Sequence, residues 1–398
     1  MIAPEPFFEP RGTPFSEFHR IRALTALGHQ VDLITYPFGH DVSMPGLRVF
    51  RSLRPPFVRG VKIGPSLAKI PLDALLAVTV LRRALSQRYD VVHSHEEGGV
   101  IGVLVAALLR VPHLYDMHSS LPQQLANFSF GGAIGASRAM RRAFMTIERL
   151  MIRRSRVVIV ICPALEDTVR AIEPEAHAVL IENAPGSGEE QPTTAAAAGV
   201  RRSLGVAEHA PMVLYTGTFE AYQGLDLLFA AMAIVAARTE GGTRDDEPRL
   251  VLAGGKPDQV ERARAQAKAA GIDRVTIFAG ERPAEEIPAY LLAATILVSP
   301  RSRGTNTPLK IYQYLRSGKP IVATRLLTHT QVLSDDTAFL TGPTAPEFAE
   351  GILAALGDRE RAHQVGERAR ELAETKYSYE SYLDKTRQAY AAMEGAVA

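Results

Sequence analysis

The sequence predicts an α/β protein built as two doubly wound halves, and three observations carry that prediction. Short apolar runs rich in β-branched residues alternate with longer helical patterns along nearly the whole chain. The alternation runs twice, on either side of an aperiodic stretch, Gly186–Gly199 (GSGEEQPTTAAAAG). The length of 398 residues suits two or three domains. Strands separated by helices pair in parallel, because a parallel crossover needs a helix-sized connection.

In the first half, Met1–Pro4 reads as the tail of a strand that ordinarily begins earlier, which leaves an upstream start open. The spacing predicts a helix over Phe15–Leu27, stopped by Gly28, and a half-buried strand over Gln30–Thr35, where apolar residues alternate. Asp90–His93 is a short strand and Val100–Leu109 a helix after it. His113–Asp116 is a strand, Arg138–Arg156 a long basic amphipathic helix and Val157–Ile161 a buried strand. Gly186–Gly199 has no period and many small residues, so it reads as a linker or insertion.

The second half repeats the scheme. Strands are expected at Met212–Thr216, Arg249–Ala253, Val275–Ala279, Ile296–Ser299 and Pro320–Ala323. Helices are expected at Leu225–Ala237, Val260–Ala270, Glu285–Ala293, Leu309–Ser317, Pro346–Gly357, Arg359–Lys376 and Tyr379–Met393. Glu240–Glu247 (EGGTRDDE) reads as an exposed loop. Ligands of such sheets bind at the carboxyl ends of strands, and between two facing domains the cleft is the default site.

Composition narrows the function classes. The 46% hydrophobic and 22% charged content is that of an ordinary globular protein. The one cysteine, Cys162 in VVIVIC, reads as buried packing and excludes an intrachain disulfide framework; a reducing compartment fits. No signal-peptide pattern opens MIAPEPFFEPRG, and the apolar stretch Gly98–Leu109 is shorter than the roughly 20 residues a membrane span needs. Net charge is +2, but residues 1–160 hold 20 Lys and Arg against 11 Asp and Glu, while the remainder holds 25 against 32. A basic first half suits an anionic surface or substrate; solvated helix faces would read the same way. No G-x-G-x-x-G follows a first strand, which disfavours a dehydrogenase. Trp is absent and basic residues do not interleave with aromatics, which disfavours nucleic acid as a partner.

The most informative segment is Ser299–Thr324, SPRSRGTNTPLKIYQYLRSGKPIVAT. A buried strand ends, a polar loop follows and a helix starts near Pro308. Pro is tolerated there because its missing N–H would be unpaired anyway. A helix start offers free N–H groups and a positive dipole end to an anion. Thr305, Asn306 and Thr307 add short polar side chains and Lys310 a cation. On local chemistry alone the segment is equally a capped helix with a surface lysine.

The pattern G-x-P-[apolar]-V-x-[ST] after that helix (Gly318, Pro320, Val322, Thr324) resembles the donor-binding segment of the retaining family 4 glycosyltransferases. EFHRIRALTALGHQVDLIT, VVHSH, IENAP, LYTGTFEAYQGLDLL, LVLAGG, FAGERPAEEIPAYLLAATILVSP and SGKPIVAT follow in that family's order, so the resemblance covers nearly the whole chain. It implies the GT-B fold, two facing Rossmann-like domains with a cleft between them. The expected division is residues 1–185 on the acceptor side, a linker over 186–200 and a nucleotide-sugar domain over 201–376. A terminal helix over 377–398 is expected to pack back toward the first domain.

The resemblance also implies a site. Gly12 and Thr13 stand where the family's glycines approach the donor phosphate, and His118 where a histidine approaches the donor sugar. Gly217, Thr218, Arg303, Thr305, Asn306, Thr307 and Gln313 are the expected contacts to donor phosphate and sugar, with Lys310 the leading phosphate contact. Gly254, Glu281 and Arg282 lie where the family meets the nucleobase, and Asn183 at a hinge-side position. The departures matter equally. Thr305 and Gln313 replace the family's glutamate pair, and Thr218 and Gln223 replace its cationic clamp. Lys310, Arg301 and Arg303 are candidate replacements, since Arg grips phosphate bidentately and Lys acts as a point charge. His93 and His95, followed by Glu96 and Glu97, match no standard metal spacing and read as strand-end packing or acceptor contact.

The expected activity is therefore retaining, metal-independent transfer from a UDP- or GDP-linked sugar to a glycan, lipid-linked or small-molecule acceptor, with no other cofactor. The alternatives are a degenerate GT-B binding module and a nucleotide-sugar epimerase on the same fold. The expected location is cytoplasmic. Arg51–Lys69 and the stripe Met140, Phe144, Ile147, Leu150 and Met151 among arginines add an expectation of peripheral contact with an anionic inner membrane face; packing on the domain's own sheet would use the same stripe.

Overall fold

A computed structural model describes residues 1–9, 12–61, 69–122, 138–183, 192–239 and 247–394. The chain divides into two units, Met1–Pro185 with Glu380–Ala398, and Gly186–Tyr379. Readings that fall on residues 62–68, 186–191 and 240–246 lie outside the described residues.

Unit 1 is laid on seven strands: β1 (Ile2–Ala3), β2 (Val31–Thr35), β3 (Leu47–Arg51), β4 (Val92–His95), β5 (His113–Met117), β6 (Val157–Val160) and β7 (Ala178–Leu180). Their order is β3-β2-β1-β4-β5-β6-β7, every neighbouring pair parallel. The order reverses between β1 and β4, the place where such sheets open a crevice at their carboxyl ends. Central strands such as Val157–Val160 are buried along their length, as a sheet covered on both faces requires. The helix Lys69–Ser86 buries Leu72, Leu76, Val80 and Ala84, one face at four-residue spacing. Its other faces also carry Ile70, Val78, Leu81 and Leu85, all exposed, so the helical period is hidden in the sequence.

The helix Arg138–Arg154 resolves the two readings of its apolar stripe. Met151 and Ile152 are fully buried, and Phe144 and Ile147 pack against the core under β5 and β6. The stripe therefore faces the unit's own sheet, and only Leu150 of the five expected residues is exposed. Cys162 is buried with no disulfide. The terminal helix Tyr379–Glu394 belongs to unit 1 from Glu380 onward. Tyr382, Thr386, Ala389, Tyr390 and Met393 are its buried face. Arg20 donates to Thr386 Oγ1 at 3.2 Å, and Tyr390 and His93 share a hydrogen bond of 2.6 Å.

Unit 2 repeats the design with β8 (Met212–Thr216), β9 (Arg249–Ala253), β10 (Thr276–Gly280), β11 (Ile296–Ser299), β12 (Ile321–Thr324) and β13 (Phe339–Thr341). The order is β10-β9-β8-β11-β12-β13, again all parallel, with the reversal between β8 and β11. Its core joins Val213, Tyr215, Leu250 and Val298 of the sheet to Leu228, Phe229 and Phe348 of the covering helices.

Two readings are corrected. The expected linker, 186–200, contains the start of a helix, Thr194–Leu204. Alanine is the strongest helix former, Thr193 caps the first turn by accepting from Ala196 N at 3.1 Å, and Gly205 ends it at φ 66°. Glu247, expected in an exposed loop, is buried beside Arg274, 2.7 Å from its guanidinium.

Candidate active site

The strand-order reversal of unit 2 gathers most of the expected donor residues. Gly217 follows β8 at φ 126°, and its N–H donates to Ala253 O at 2.9 Å. Gly254 follows β9 at φ 129°; a Cβ there would stand 2.0 Å from Gly217 O, so only glycine lets these two strand ends meet. Gly224 is constrained the same way, since a Cβ there would stand 2.1 Å from Pro300 O, so the segment after β8 lies directly on the segment after β11.

Into this corner comes Lys310, on the first turn of the helix Leu309–Ser317. Its Nζ donates to Thr216 O at 3.0 Å and stands 3.7 Å from the Tyr215 ring centre. Lys310 is buried, and burial, with Arg301 nearby, pulls its ammonium well below the usual lysine range. Tyr314, one turn on, accepts from Thr216 N at 3.0 Å, so the helix is fastened to the end of β8 at two points. Tyr215 OH donates to Thr218 O at 2.6 Å and sets the next turn of chain.

Arg301 follows β11. Its guanidinium carbon lies 5.1 Å from the Tyr222 ring centre, and its Nε donates to Arg303 O at 2.9 Å. Burial lowers its pKa as it does that of Lys310. Arg303, the arginine expected at the phosphate, is exposed. The two positions differ because residue 301 is next to the strand end and 303 sits at the loop's outer turn, just before Gly304 at φ 115°.

The loop bearing Thr305, Asn306 and Thr307 is held from one side. Gln331 Nε2 donates to Thr305 O at 2.6 Å, Thr328 Oγ1 to Asn306 O at 2.7 Å and Thr324 Oγ1 to Arg301 O at 2.7 Å. His329 bonds Ser299 Oγ at 2.8 Å and Thr324 O at 2.8 Å, and burial lowers its pKa to about 3, so it stays neutral. These holding residues escaped the sequence reading; THTQ after a strand carries no periodic signal. Thr307 is buried, with no hydrogen-bond partner for its Oγ1 among the described residues. Pro308 is the N-cap of the helix and makes no side-chain cap, and Gln313 is half-buried one turn beyond Leu309. Of the expected base contacts, Gly254 N donates to Gly280 O at 2.7 Å, joining the ends of β9 and β10, while Glu281 and Arg282 are exposed just beyond.

The remaining expected residues belong to unit 1. Gly12, at φ 56°, and Thr13 open the helix Gly12–Ala26. His118 lies just past β5 with Nε2 3.2 Å from Asp116 Oδ1. Burial opposes the charge on His118, but Asp116 outweighs it and raises the imidazole pKa. Asp116 is also 3.1 Å from Arg20 Nε, and against the upward push of burial Arg20 and His118 hold it well below the carboxylate range. His93, 3.4 Å from Asp116, is driven by burial to about 4, and His95 well below its usual value, so both are neutral. The donor atoms of His93, His95 and Asp116 lie within 4.8 Å of one another, a spacing that fits a cation. The Arg20 guanidinium already neutralises Asp116, so the trio reads as a buried polar junction.

Comparison with known proteins gives the same outline. The model of the glycosyl transferase 4-like domain matches residues 19–184, and that of the glycosyl transferases group 1 matches residues 199–372. A D-inositol 3-phosphate glycosyltransferase of Corynebacterium diphtheriae is 26% identical over 391 residues, covering 93% of this chain and 87% of the relative. A 2-deoxystreptamine N-acetyl-D-glucosaminyltransferase of Streptomyces fradiae is 30% identical over 268 residues, 65% of this chain and 61% of the relative. Among solved structures, sucrose-phosphate synthase from Thermosynechococcus elongatus superposes with TM-score 0.78 at 21% identity, covering 99% of both chains. Anabaena HepE in complex with UDP-glucose superposes with TM-score 0.76 at 16% identity over 98% of both. Likeness at that identity establishes the shared GT-B fold. Among the described residues no helix is long and apolar enough to cross a membrane.

Proposed function

Because the chain belongs to the glycosyl transferases of group 1, with the 4-like domain before them, we propose that it uses a nucleotide-sugar donor whose diphosphate binds at the strand-order reversal of unit 2. The observation that carries this is the convergence of Lys310 and Arg301 on the segment after β8, beside a helix start. Two cations there supply the charge that Thr218 and Gln223 lack. A buried ammonium with a lowered pKa gains most from an anion, since the phosphate repays its desolvation.

In this reading the sugar–phosphate bond breaks toward an oxocarbenium-like state, and the leaving nucleotide diphosphate keeps the electron pair. Lys310, Arg301 and the helix start stabilise that charge, and catalysis is chiefly electrostatic. The acceptor hydroxyl adds on the face that the leaving group vacates and gives its proton to the leaving phosphate, so the product retains configuration. His118 contacts the donor sugar, and unit 1 receives a glycan, lipid-linked or small-molecule acceptor. The relatives supply two acceptor chemistries, an inositol phosphate and an aminocyclitol, by their names alone. The reaction is proposed to need no metal and no cofactor beyond a UDP- or GDP-linked donor.

The test is nucleotide release from a panel of UDP- and GDP-sugars, with and without chelator. Slow release from one donor, resistant to chelation and reduced about 10²-fold or more in a folded Lys310→Ala protein, is expected. Wild-type turnover in that variant would sink the assignment. A second reading, a binding module without turnover, is motivated by Thr305 and Gln313 at the glutamate positions; tight nucleotide binding with no release from any donor would favour it.

A further inference from the structure

Exposed apolar side chains are unevenly shared between the units. Among the described residues, ten large ones stand exposed in unit 1 and one, Leu327, in unit 2. Eight of the ten are on three helices, Lys69–Ser86, Gly99–Leu109 and Arg138–Arg154. These helices are the crossovers from β3 to β4, from β4 to β5 and from β5 to β6. All three connections step the same way along the sheet, and right-handed crossovers then put all three helices on one face. They pack side by side, Gly99–Leu109 touching both of the others.

The helix Lys69–Ser86 is apolar on two sides. Leu72, Leu76, Val80 and Ala84 enter the core, while Ile70, Val78, Leu81 and Leu85 form a second stripe at helical spacing on the side away from it. That outer stripe is about 22 Å long. The neighbouring helix, GVIGVLVAALL, carries no charge at all and turns Leu104 and Leu108 outward. Single exposed leucines are ordinary, but rows of them on adjacent helices make a patch that marks a contact surface.

The charges around the patch have one sign. Arg82 is exposed beside the outer stripe, and Arg110, at φ 57°, caps the uncharged helix. On the third helix Met145 is exposed within about one turn of Arg141, Arg142 and Arg149, all exposed as well. The acids of the three helices are Asp73 and Glu148, and neither is exposed. Tyr36 OH donates to Asp73, and Leu121 N donates to Glu148 at 2.6 Å. A solvated helix carries both signs, as Pro257–Ala269 of unit 2 does with Asp258 and Arg262 paired at 2.9 Å.

We propose that this helix layer of unit 1 lies on an anionic lipid surface, with the leucines in the acyl boundary and the arginines on lipid phosphates. A patch that is apolar with a basic rim is matched by a surface that is apolar within and anionic at its edge. A second copy of the chain fits less well, because a two-fold pair would set arginines against arginines. Among the described residues no helix is long and apolar enough to cross a membrane, so the contact is interfacial. It rests on unit 1 alone and does not depend on the donor reading.

The chain contains no tryptophan, so one substituted for Leu85 reports on the patch alone. Leu85→Trp fluorescence should shift to the blue with phosphatidylglycerol vesicles and not with phosphatidylcholine vesicles, and Leu327→Trp should shift with neither. In flotation the wild type should bind phosphatidylglycerol vesicles tenfold or more tighter than phosphatidylcholine vesicles, and lose the difference in high salt. Leu85→Glu with Leu104→Glu, or Arg142→Glu with Arg149→Glu, should each remove tenfold or more of that binding. The melting temperature should hold in both, since all four side chains are exposed. No binding to phosphatidylglycerol vesicles, binding indifferent to lipid charge, or either double variant binding like wild type overturns the proposal. So does a concentration-dependent dimer that Leu85→Glu disperses while vesicles stay unbound.

Discussion

The two units share one strand order and reverse it at equivalent places, yet they line that place with opposite chemistry. Unit 2 brings Lys310 and Arg301 to the ends of β8 and β11. Unit 1 brings Glu5, Glu17 and Glu96 to the ends of β1 and β4. The overall charge runs the other way, since residues 1–160 are net basic and the remainder net acidic. Composition therefore describes helix faces, whereas the strand ends decide what a parallel sheet can bind. One strand order carries two different linings, set by a handful of residues just past its central strands.

The contrast can be broken at several points. The largest expected effect is at the junction beneath His118. Asp116→Ala leaves the Arg20 guanidinium buried without its carboxylate, and should cost about 3–5 kcal/mol of stability. Chemical denaturation measures it, and a loss under about 1 kcal/mol would show that the pair is not a structural partner. In unit 2, Arg301→Ala should weaken nucleotide binding by about 1.5–3 kcal/mol, the worth of a hydrogen bond to a charged group. Arg303→Ala should change it little, and equal losses in calorimetry would put both arginines on the ligand.

The last effect is spread over a pH range, modest at any one pH unit. Burial raises Glu96 to about 8 in the folded chain, against an ordinary value of 4.5. Between roughly pH 5 and 8 the folded form then holds a proton that the unfolded form has released, so stability falls as pH rises, by at most about 1.4 kcal/mol per pH unit. Glu96→Gln should flatten the decline of the melting temperature over that window, leaving what Glu5, Glu17, Asp73 and Glu148, also raised by burial, contribute. An unchanged slope would mean that Glu96 is ionised in the folded protein.

Much of this was legible in advance, for identifiable reasons. Met212–Thr216, Arg249–Ala253, Ile296–Ser299 and Leu309–Ser317 have the bounds that their periodicity announces, because buried central strands and an amphipathic helix leave strong patterns. That Lys310 is buried against the end of β8 was not legible in local chemistry, which suits a surface lysine equally; the family resemblance alone singled the position out. The edge strands β3, β7 and β13 were missed because three to five half-buried residues leave little pattern. The choice of Arg301 over Arg303 could not be read from sequence, because Tyr222, which stacks on the half-buried Arg301, comes from a turn about 80 residues earlier in the chain. The carboxyl cluster was equally hidden, since Glu5, Glu17 and Glu96 come from three elements that only the sheet brings together.

The most direct test is calorimetric binding of UDP and GDP to the wild type, Lys310→Ala and Glu96→Gln. One nucleotide is expected to bind, with an affinity that Lys310→Ala weakens tenfold or more and that Glu96→Gln leaves unchanged. Nucleotide affinity that falls with Glu96→Gln and survives Lys310→Ala would contradict the assignment of the donor to unit 2.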